Sequence, residues 1–555
     1  MTETDRIMRW QSILSSTRRG LFAIGGGAAA AMATGPVRAQ PRPPEKPRGQ
    51  VVVGLSQEPT VFHPLMPGIE VDQGVWWNLF STLWIIDPDG KFIPDLAAEI
   101  PTQQNGGISE DGLLWKVKLR RDAKWHDGTP FTAEDVKFSL GLINNSNFRA
   151  RNRVGHNLVK EVTVVAPDEI HWRMETAYAP YLSILSLTFM VPKHLLDGAA
   201  DPNTTPFQAA PVGTGPFRWG SRMPGDNIQL VANAAYHGAG PYLERLYFKY
   251  IPDLTVLYTQ FRTGQIDYTG IAGISPAFAR EAQNLRGRKV RVNPTASVES
   301  IAPNLESGPW GDRTVREALY LTMNKKALIE ALYYGLPTPT ESFLPQQSWA
   351  FNPDLPKHEY NPGKANGMLD AAGWKRGSGG IREKDGVRLE FANSTTVGNP
   401  LREQAQQLLM QDWKAVGAEM RIQNMPAAVI WGEFWTQSKF SSVMVSVNYM
   451  LGSDPDVTPR FSSTSIPAKG GRGQNNYQYQ NAEVDALLVK GATEFDQEKR
   501  KQIYGRIQEV IRENLTILPI FQQTLVEGTK DGLNGFRPNI NTSSNCWNIR
   551  EWYWA

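Results

Sequence analysis

The chain of 555 residues has 58 basic and 55 acidic residues and a single cysteine, Cys546. It is therefore too long for one hydrophobic core, and it can form no internal disulfide. Residues 1–39 hold five arginines and two acidic residues, so the rest of the chain is neutral, which argues against a nucleic-acid or anionic-membrane partner. Seven scattered histidines without an H-x-x-x-H pair predict no metal site, and no cofactor is expected.

Residues 1–39 form the first predicted element, an export signal. Arg18 and Arg19 precede the apolar stretch 21–33, which is too short to cross a bilayer. A small-x-small cleavage site follows at residues 37–39. The twin arginines resemble a Tat signal, and an ordinary Sec signal is the alternative. Residues 40–49 are rich in proline and are predicted to be a stiff linker.

The next segments alternate between strand and helix patterns. Gln50–Leu55 is a short apolar run that predicts a buried strand. A proline-containing loop at 56–68 leads to a predicted helix over 75–83. The turn residues at 86–90 predict a β-hairpin.

Residues 114–143 predict a strand, a turn and a capped helix. Trp115, Val117 and Leu119 alternate with basic residues, which is the pattern of a strand with one wet face. Thr132 is the predicted N-cap of the helix, and Asp135 is its capping-box partner three residues later. With two more predicted strands at 161–166 and 169–174, the segment is typical of a compact α+β unit.

The glycine-rich stretch 210–219 reads A-P-V-G-T-G-P-F-R-W. It lacks the Walker lysine and the G-x-G-x-x-G frame of phosphate-binding loops, so a turn that feeds a strand is favoured. Beyond it, helices are predicted over 314–334, 401–416 and 497–514, and a strand over 417–423. This alternation indicates an α/β lobe.

Several motifs resemble those of the family 5, peptide-type solute-binding proteins of ABC importers. The signature of that family runs approximately F-x-L-R-x-x-x-x-F-H-D-G-x-P-[FL]-T-A-x-D-V. Here residues 117–120 read V-K-L-R and residues 125–136 read W-H-D-G-T-P-F-T-A-E-D-V, with Trp125 in place of the usual phenylalanine. G-T-G-P-F at 213–217 and Y-N-P-G-K-A at 360–365 continue the resemblance, which covers about residues 50–530.

The resemblance implies an α/β, two-lobed periplasmic binding protein of type II, cluster C-like, with an additional N-terminal α+β subdomain. Lobe I would combine 50–82, 206–295 and 510–555, the insert subdomain would be 83–205, and lobe II would be 296–509. The implied function is capture of a peptide or other small solute in the periplasm and delivery to ABC permease subunits in the inner membrane. A monomer without enzymatic activity and without a nucleic-acid partner is expected.

The resemblance also places the ligand against two loops, 68–73 and 447–461. In peptide binders of the family, an aspartate of the second loop pairs with the α-amino group of the ligand. Alignment on Asp454 puts Leu451 at that position, and an apolar side chain cannot hold an ammonium group. Either Asp454 takes the role through a shift of the loop, or the ligand has no free α-amine. The second reading admits an oligosaccharide, an opine-like conjugate or a capped peptide.

The candidate ligand-binding residues come from these loops and from aromatic residues near them. Stacking on a ligand is the functional interpretation of the aromatic residues, and packing in the core is the alternative for each. A secreted glycoside hydrolase that uses Glu70 and Asp454 is the enzymatic alternative. The full set is Glu70, Val71, Trp76, Trp77, Asn304, Trp431, Tyr449, Leu451, Ser453 and Asp454.

Overall fold

The computed structural model describes residues 42–271 and 273–555, so the predicted export signal lies outside the described residues. Its main feature is an eleven-stranded mixed sheet. One short strand, Thr338–Pro339, pairs only with Leu518–Lys530 and stands outside the linear order of the other strands. The other ten strands follow one another in the order Glu419–Ile422, Glu390–Ser394, Ser442–Asn448, Arg288–Pro303, Leu518–Lys530, Tyr268–Thr269, Gln50–Leu55, Arg245–Tyr250, Asn227–Ala232 and Phe217–Met223.

Two long antiparallel strands, Arg288–Pro303 and Leu518–Lys530, join the two halves of this sheet, and we call them the connecting strands. At one end Arg288 pairs with Lys530, and at the other Ile301 pairs with Leu518. The pairing register breaks midway, between Pro294 and Val298. The ladder is interrupted there, so the two halves of the sheet meet at an irregular point.

The first half of the sheet contains the strand Gln50–Leu55, as predicted. The helix Glu70–Leu79 follows it in the chain. The helix begins five residues before the predicted start at 75. The carboxylate of Asp72 accepts hydrogen bonds from the backbone N–H of Ile69 at 2.8 Å and of Thr60 at 2.8 Å. Asp72 thereby fixes the helix start at Glu70, so part of the expected loop 68–73 is helical.

The segment that carries the signature has a core of its own. Its strands Leu114–Lys118, Glu169–Met174 and Val159–Ala166 form an antiparallel sheet beside the helix Ala133–Asn144. The rings of Trp115 and Trp172 stack with centroids 5.9 Å apart. The backbone N–H of Thr132 donates to Asp135 Oδ2 at 2.9 Å, which confirms the predicted cap of this helix.

The second half of the sheet is covered by helices. The helical segment predicted over 314–334 consists of two helices, Arg313–Leu321 and Lys325–Tyr333. Asn324 separates them, because its side chain accepts from the backbone N–H of Ala327 at 3.0 Å and caps the second helix. The predicted helices over 401–416 and 497–514 are confirmed as Pro400–Ala415 and Gln497–Asn514.

The remaining elements are short helices and small sheets. The helices are Tyr181–Leu185, Lys193–Leu196, Leu254–Thr263, Ala279–Gln283, Pro362–Ala371, Ala427–Val429, Thr458–Phe461 and Ala482–Thr493. The small sheets pair Trp84–Ile86 with Phe92–Pro94, Leu533–Asn534 with Tyr553–Trp554, and Arg382–Lys384 with both Lys375–Arg376 and Val387–Arg388. The first of these pairs is the predicted hairpin.

The glycine-rich stretch is a turn that feeds the strand Phe217–Met223, as predicted. Gly213 lies against the end of the helix Glu70–Leu79, where an added Cβ would come within 1.8 Å of the Leu79 carbonyl oxygen. Gly215 donates its backbone N–H to the same oxygen at 2.9 Å. The glycines therefore permit a close backbone approach and need no phosphate to explain them.

His126 of the signature holds this turn. Its backbone N–H donates to the Gly213 carbonyl at 2.8 Å, and its Nδ1 accepts from the Gly213 N–H at 3.0 Å. Its Nε2 lies 3.1 Å from the Gly215 carbonyl oxygen and donates to it. Burial lowers the pKa of His126 to about 4, so the imidazole is neutral, as this pattern of bonds requires. The signature thus supports the helix that begins at Glu70.

Across the described ranges, no helix combines the length and the apolar character needed to cross a lipid bilayer.

Candidate functional site

Three cavities share lining residues, and together we call them the cleft. The acidic cavity, of about 430 Å³, is named for Glu70 and Glu527, and the arginine cavity, of about 810 Å³, for Arg151, Arg460 and Arg472. The middle cavity, of about 230 Å³, shares Asn448, Ile540 and Ser543 with the acidic cavity. The middle cavity shares Arg151, Asn152, Asn448, Met450 and Leu451 with the arginine cavity.

The acidic cavity lies where the pairing of the connecting strands is irregular. Residues 294–297 of one strand and 523–525 of the other line it, together with Glu70 and Gln73 at the start of a helix. Residues 539–540 and 543–545 close it from the C-terminal segment. A change in the angle between the two halves of the sheet would therefore change the shape of this cavity.

Two carboxylates set the charge of the acidic cavity. Glu527 is buried and accepts hydrogen bonds from the side-chain amides of Asn293 and Asn545, each at 2.7 Å, and from the hydroxyl of Tyr268. Burial raises the pKa of Glu527. Glu70 is exposed to the solvent inside the cavity, but the surrounding walls and then the charge of Glu527 raise its pKa to about 7.

The raised pKa of Glu70 predicts a pH-dependent effect of Glu70→Gln on stability. A carboxyl group with a higher pKa in the folded than in the unfolded state destabilises the fold once it ionises. The variant should therefore be more stable than the natural protein at pH 8, and the difference should vanish as the pH falls towards 4. Urea denaturation at both pH values measures it. Glu45→Gln, at an exposed linker residue, is the control and should show no such difference.

The arginine cavity is lined by three arginines and by one buried acidic residue, Asp456. Arg151 is exposed to the cavity solvent and lies over the ring of Trp76 at 5.6 Å, and Arg460 lies over the ring of Tyr449 at 5.8 Å. Among the residues that the structure describes, neither guanidinium group has an acidic partner or a hydrogen-bond acceptor. The same holds for Arg472 at the rim. Each retains five N–H donors for a molecule in the cavity.

Apart from Arg151, which it shares with the arginine cavity, the middle cavity has no charged lining residue in the described structure. His156 lines it, with Nδ1 at 3.1 Å from the Tyr181 hydroxyl and Nε2 at 3.2 Å from the Thr188 hydroxyl. Burial lowers the pKa of His156 to about 3, so the ring is neutral. Leu451 and Ile540 add apolar surface. The middle cavity can therefore accommodate an uncharged part of a ligand.

Asp454 faces away from the cleft. Its two carboxylate oxygens accept from Arg500 at 2.6 and 2.8 Å, and both side chains are buried. Burial alone would lower the pKa of Arg500, but the charge of Asp454 outweighs it and the pKa is raised. The backbone of Leu451 and Asp454 closes a tight turn through hydrogen bonds of 2.9 and 3.1 Å. Asp454 is therefore a structural residue that fixes the loop behind Leu451.

Comparison with known proteins decides which class of binding protein this is. The sequence profile of the bacterial extracellular solute-binding proteins, family 5 Middle, matches residues 91–468. The chain belongs to this family. This solute-binding protein is accordingly an extracytoplasmic binding protein and not an enzyme, and it has the two-lobed α/β fold with a further α+β subdomain.

Its relatives support the assignment over almost the whole length. The oligopeptide-binding protein AppA of Bacillus subtilis is 27% identical over 516 residues, which are 91% of this chain and 92% of AppA. The structure of AppA with a nonapeptide has a TM-score of 0.77 at 25% identity and covers 93% of this chain and 100% of AppA. The structure of NikZ from Campylobacter jejuni with Ni(L-His) has a TM-score of 0.77 at 26% identity. The match covers 91% of this chain and 99% of NikZ.

The structure brings only some of the predicted site residues of this solute-binding protein to the cleft. Glu70 lines the acidic cavity, Tyr449 the arginine cavity, and Leu451 both the middle and the arginine cavity. Tyr449 is almost wholly buried, its hydroxyl lies 2.8 Å from that of Tyr477, and its ring stacks on Phe461.

The other predicted residues lie away from the cavities. Val71, Trp76 and Trp77 pack in the core of the first half of the sheet, because the helix that carries them is buried on all sides after Glu70. Asn304 is buried and donates to the carbonyls of Ser438 and Phe440. Ser453 contacts Ser183, with the two hydroxyls 3.4 Å apart. Trp431 packs edge-on against Trp435.

Sequence reasoning missed Arg151, Asn448 and Glu527. Asn448 directly precedes Tyr449 in the expected ligand loop, so its place in the sequence already indicated a position near the ligand. Glu527 lies in the strand Leu518–Lys530, outside every motif that marks the family. Arg151 follows the signature helix without any motif of its own. Within 42–271 and 273–555, no group of three or more His, Cys, Asp or Glu side chains is placed to hold a metal ion.

Proposed function

We propose that this protein is the periplasmic solute-binding component of an ABC importer, and that it captures a peptide or peptide-like solute and delivers it to the permease subunits of the inner membrane. The cleft carries the proposal, because its three cavities of about 230, 430 and 810 Å³ share lining residues and carry carboxylates in one and arginines in another. A peptide has the size and the opposite terminal charges to occupy such a site. The relative AppA, described as oligopeptide-binding and bound to a nonapeptide in its structure, supports the same class of ligand.

The connecting strands are the proposed hinge between lobe I and lobe II. The expected boundary at 295/296 coincides with the irregular register between Pro294 and Val298. The chain returns from lobe II to lobe I near its C-terminal end, and we propose residues 522–524 for this boundary in place of the expected 509/510. Leu515 and Phe521 still pack in the core of the second half of the sheet, whereas Val526 packs in a core cluster of the first half. Residues 83–205 remain the proposed insert, and their cluster contains Trp115 and Trp172. Closure of the lobes would bury the solute.

The alternatives to a peptide have less support. A neutral oligosaccharide would leave the charges of Glu70 and Arg151 without partners in a closed cleft, which costs free energy. An opine-like conjugate carries charges and remains the second candidate. The hydrolase interpretation required a carboxylate pair formed by Glu70 and Asp454. Asp454 is buried against Arg500 and lines none of the three cavities.

A thermal-shift screen tests the proposed ligand class. Random tetra- to hexapeptides should raise the melting temperature, because a ligand at 100 times its Kd stabilises the folded state by about 2.7 kcal/mol. Neutral oligosaccharides at the same concentrations should have no effect. Stabilisation by the oligosaccharides alone would overturn the proposal. Light scattering on the same samples should show a monomer, with and without peptide.

A further inference from the structure

We propose that the cleft binds its ligand in one orientation, with a cationic group in the acidic cavity at Glu70 and Glu527 and an anionic group in the arginine cavity at Arg151. This inference rests on the proposed function and specifies the ligand as zwitterionic and extended. It also assigns the recognition of an amino group to Glu70, in place of the two alternatives from the sequence, recognition by Asp454 or a ligand without a free α-amine.

The anionic group is assigned to Arg151 because this arginine is unpaired at a junction. It lines both the middle and the arginine cavity. The stacking of its guanidinium group over Trp76 holds the planar group in place and leaves the donors on its edge unused. A planar guanidinium group binds a carboxylate through two parallel hydrogen bonds. Arg460 lines the same arginine cavity and adds a second positive charge.

The cationic group is assigned to the acidic cavity for three reasons. Glu70 is a hydrogen-bond acceptor with no basic partner among the described residues. The buried Glu527 is held by three neutral donors, which leave its negative charge in place when it ionises. Ser446 lines the same cavity, and its buried hydroxyl oxygen has no hydrogen-bond partner in the described structure. An ammonium group offers donors for these acceptors and a charge opposite to that of the carboxylates.

The positions of the three cavities set the orientation. The middle cavity shares residues with both other cavities, and Arg151 lies where it meets the arginine cavity. Glu70 and Glu527 line only the acidic cavity and Arg151 lines the other two, so a ligand that contacts both charges must reach from one cavity into the next. An unmodified peptide supplies an ammonium group at one end and a carboxylate at the other.

Four chemical forms of one peptide pool test the orientation. A pool of random pentapeptides is prepared free, N-acetylated, C-amidated and blocked at both ends, and binding is measured by calorimetry at pH 7.5. The natural protein should lose about tenfold in affinity on either modification. Glu70→Gln should bind the free and the N-acetylated forms equally, and Arg151→Gln should bind the free and the C-amidated forms equally. Glu45→Gln and Arg149→Gln, at exposed positions, are matched controls that should behave like the natural protein.

Each other outcome overturns a stated part. If Glu70→Gln weakens the free and N-acetylated forms by the same factor, Glu70 does not recognise the amino group and the inference fails. If instead Arg151→Gln binds the free and the N-acetylated forms equally, Arg151 lies at the amino end of the peptide. The orientation is then reversed and the inference also fails. If the natural protein binds all four forms equally, the proposed function stands and the inference fails. If it binds none of them, the proposed function itself fails and the inference falls with it.

Discussion

Asp454→Asn is expected to lower the free energy of unfolding by about 3–5 kcal/mol, although Asp454 looked like a candidate ligand contact in the sequence. The substitution removes the negative charge beside Arg500 and leaves a guanidinium group buried without an anion. Breaking one partner of a buried ion pair costs this much because the remaining charge loses its compensation. Urea denaturation monitored by tryptophan fluorescence measures the change in the transition midpoint.

The same helix provides the control for this prediction. Arg506 pairs with Glu483 at 2.8 Å on an exposed face, so Glu483→Gln should change the free energy of unfolding by no more than about 1 kcal/mol. Asp454→Leu combined with Arg500→Met should recover much of the lost stability, since it removes both charges. Equal losses for Asp454→Asn and Glu483→Gln would show that Asp454 is not the buried partner that the structure describes.

Gly213→Ala is expected to destabilise the protein by about 3 kcal/mol and to weaken peptide binding. The added methyl group would lie 1.8 Å from the carbonyl oxygen of Leu79, and a backbone atom cannot rotate away as a side chain can. Overpacking of this kind costs about 1–3 kcal/mol, and occasionally more. The helix that ends at Leu79 begins at Glu70, so relief of the clash would displace one wall of the acidic cavity.

Gly141→Ala is the matched substitution with the opposite expected sign. Gly141 is exposed within the helix Ala133–Asn144, and an added Cβ would meet nothing within 4 Å. Alanine is a better helix former than glycine by about 0.5–1 kcal/mol, so this variant should be more stable and should bind peptide unchanged. If both variants were destabilised alike, the close approach of Gly213 to Leu79 would not be the cause.

The sequence by itself determined the family and the local elements. The signature at 117–136 identifies a scaffold, and the cap formed by Asp135 and the two-residue periodicity of Trp115 and Val117 depend on neighbours only a few residues away. Such short-range patterns survive in any tertiary context that buries the same face. The residue type of Asn324 likewise predicts the cap of the second helix, Lys325–Tyr333, because an asparagine side chain can accept from a backbone N–H three residues later.

Only the tertiary structure decided which residues face the solute. Trp76 and Trp77 are equally plausible as stacking platforms or as core residues until the packing around the helix Glu70–Leu79 is known, which buries every residue after Glu70. Asp454 is paired with Arg500, 46 positions further along the chain, and Glu70 and Glu527 share a cavity although 457 residues separate them. Charges on distant segments come together only when the connecting strands and the helices are packed, and no local pattern records which charge will find a partner and which will remain free for a ligand.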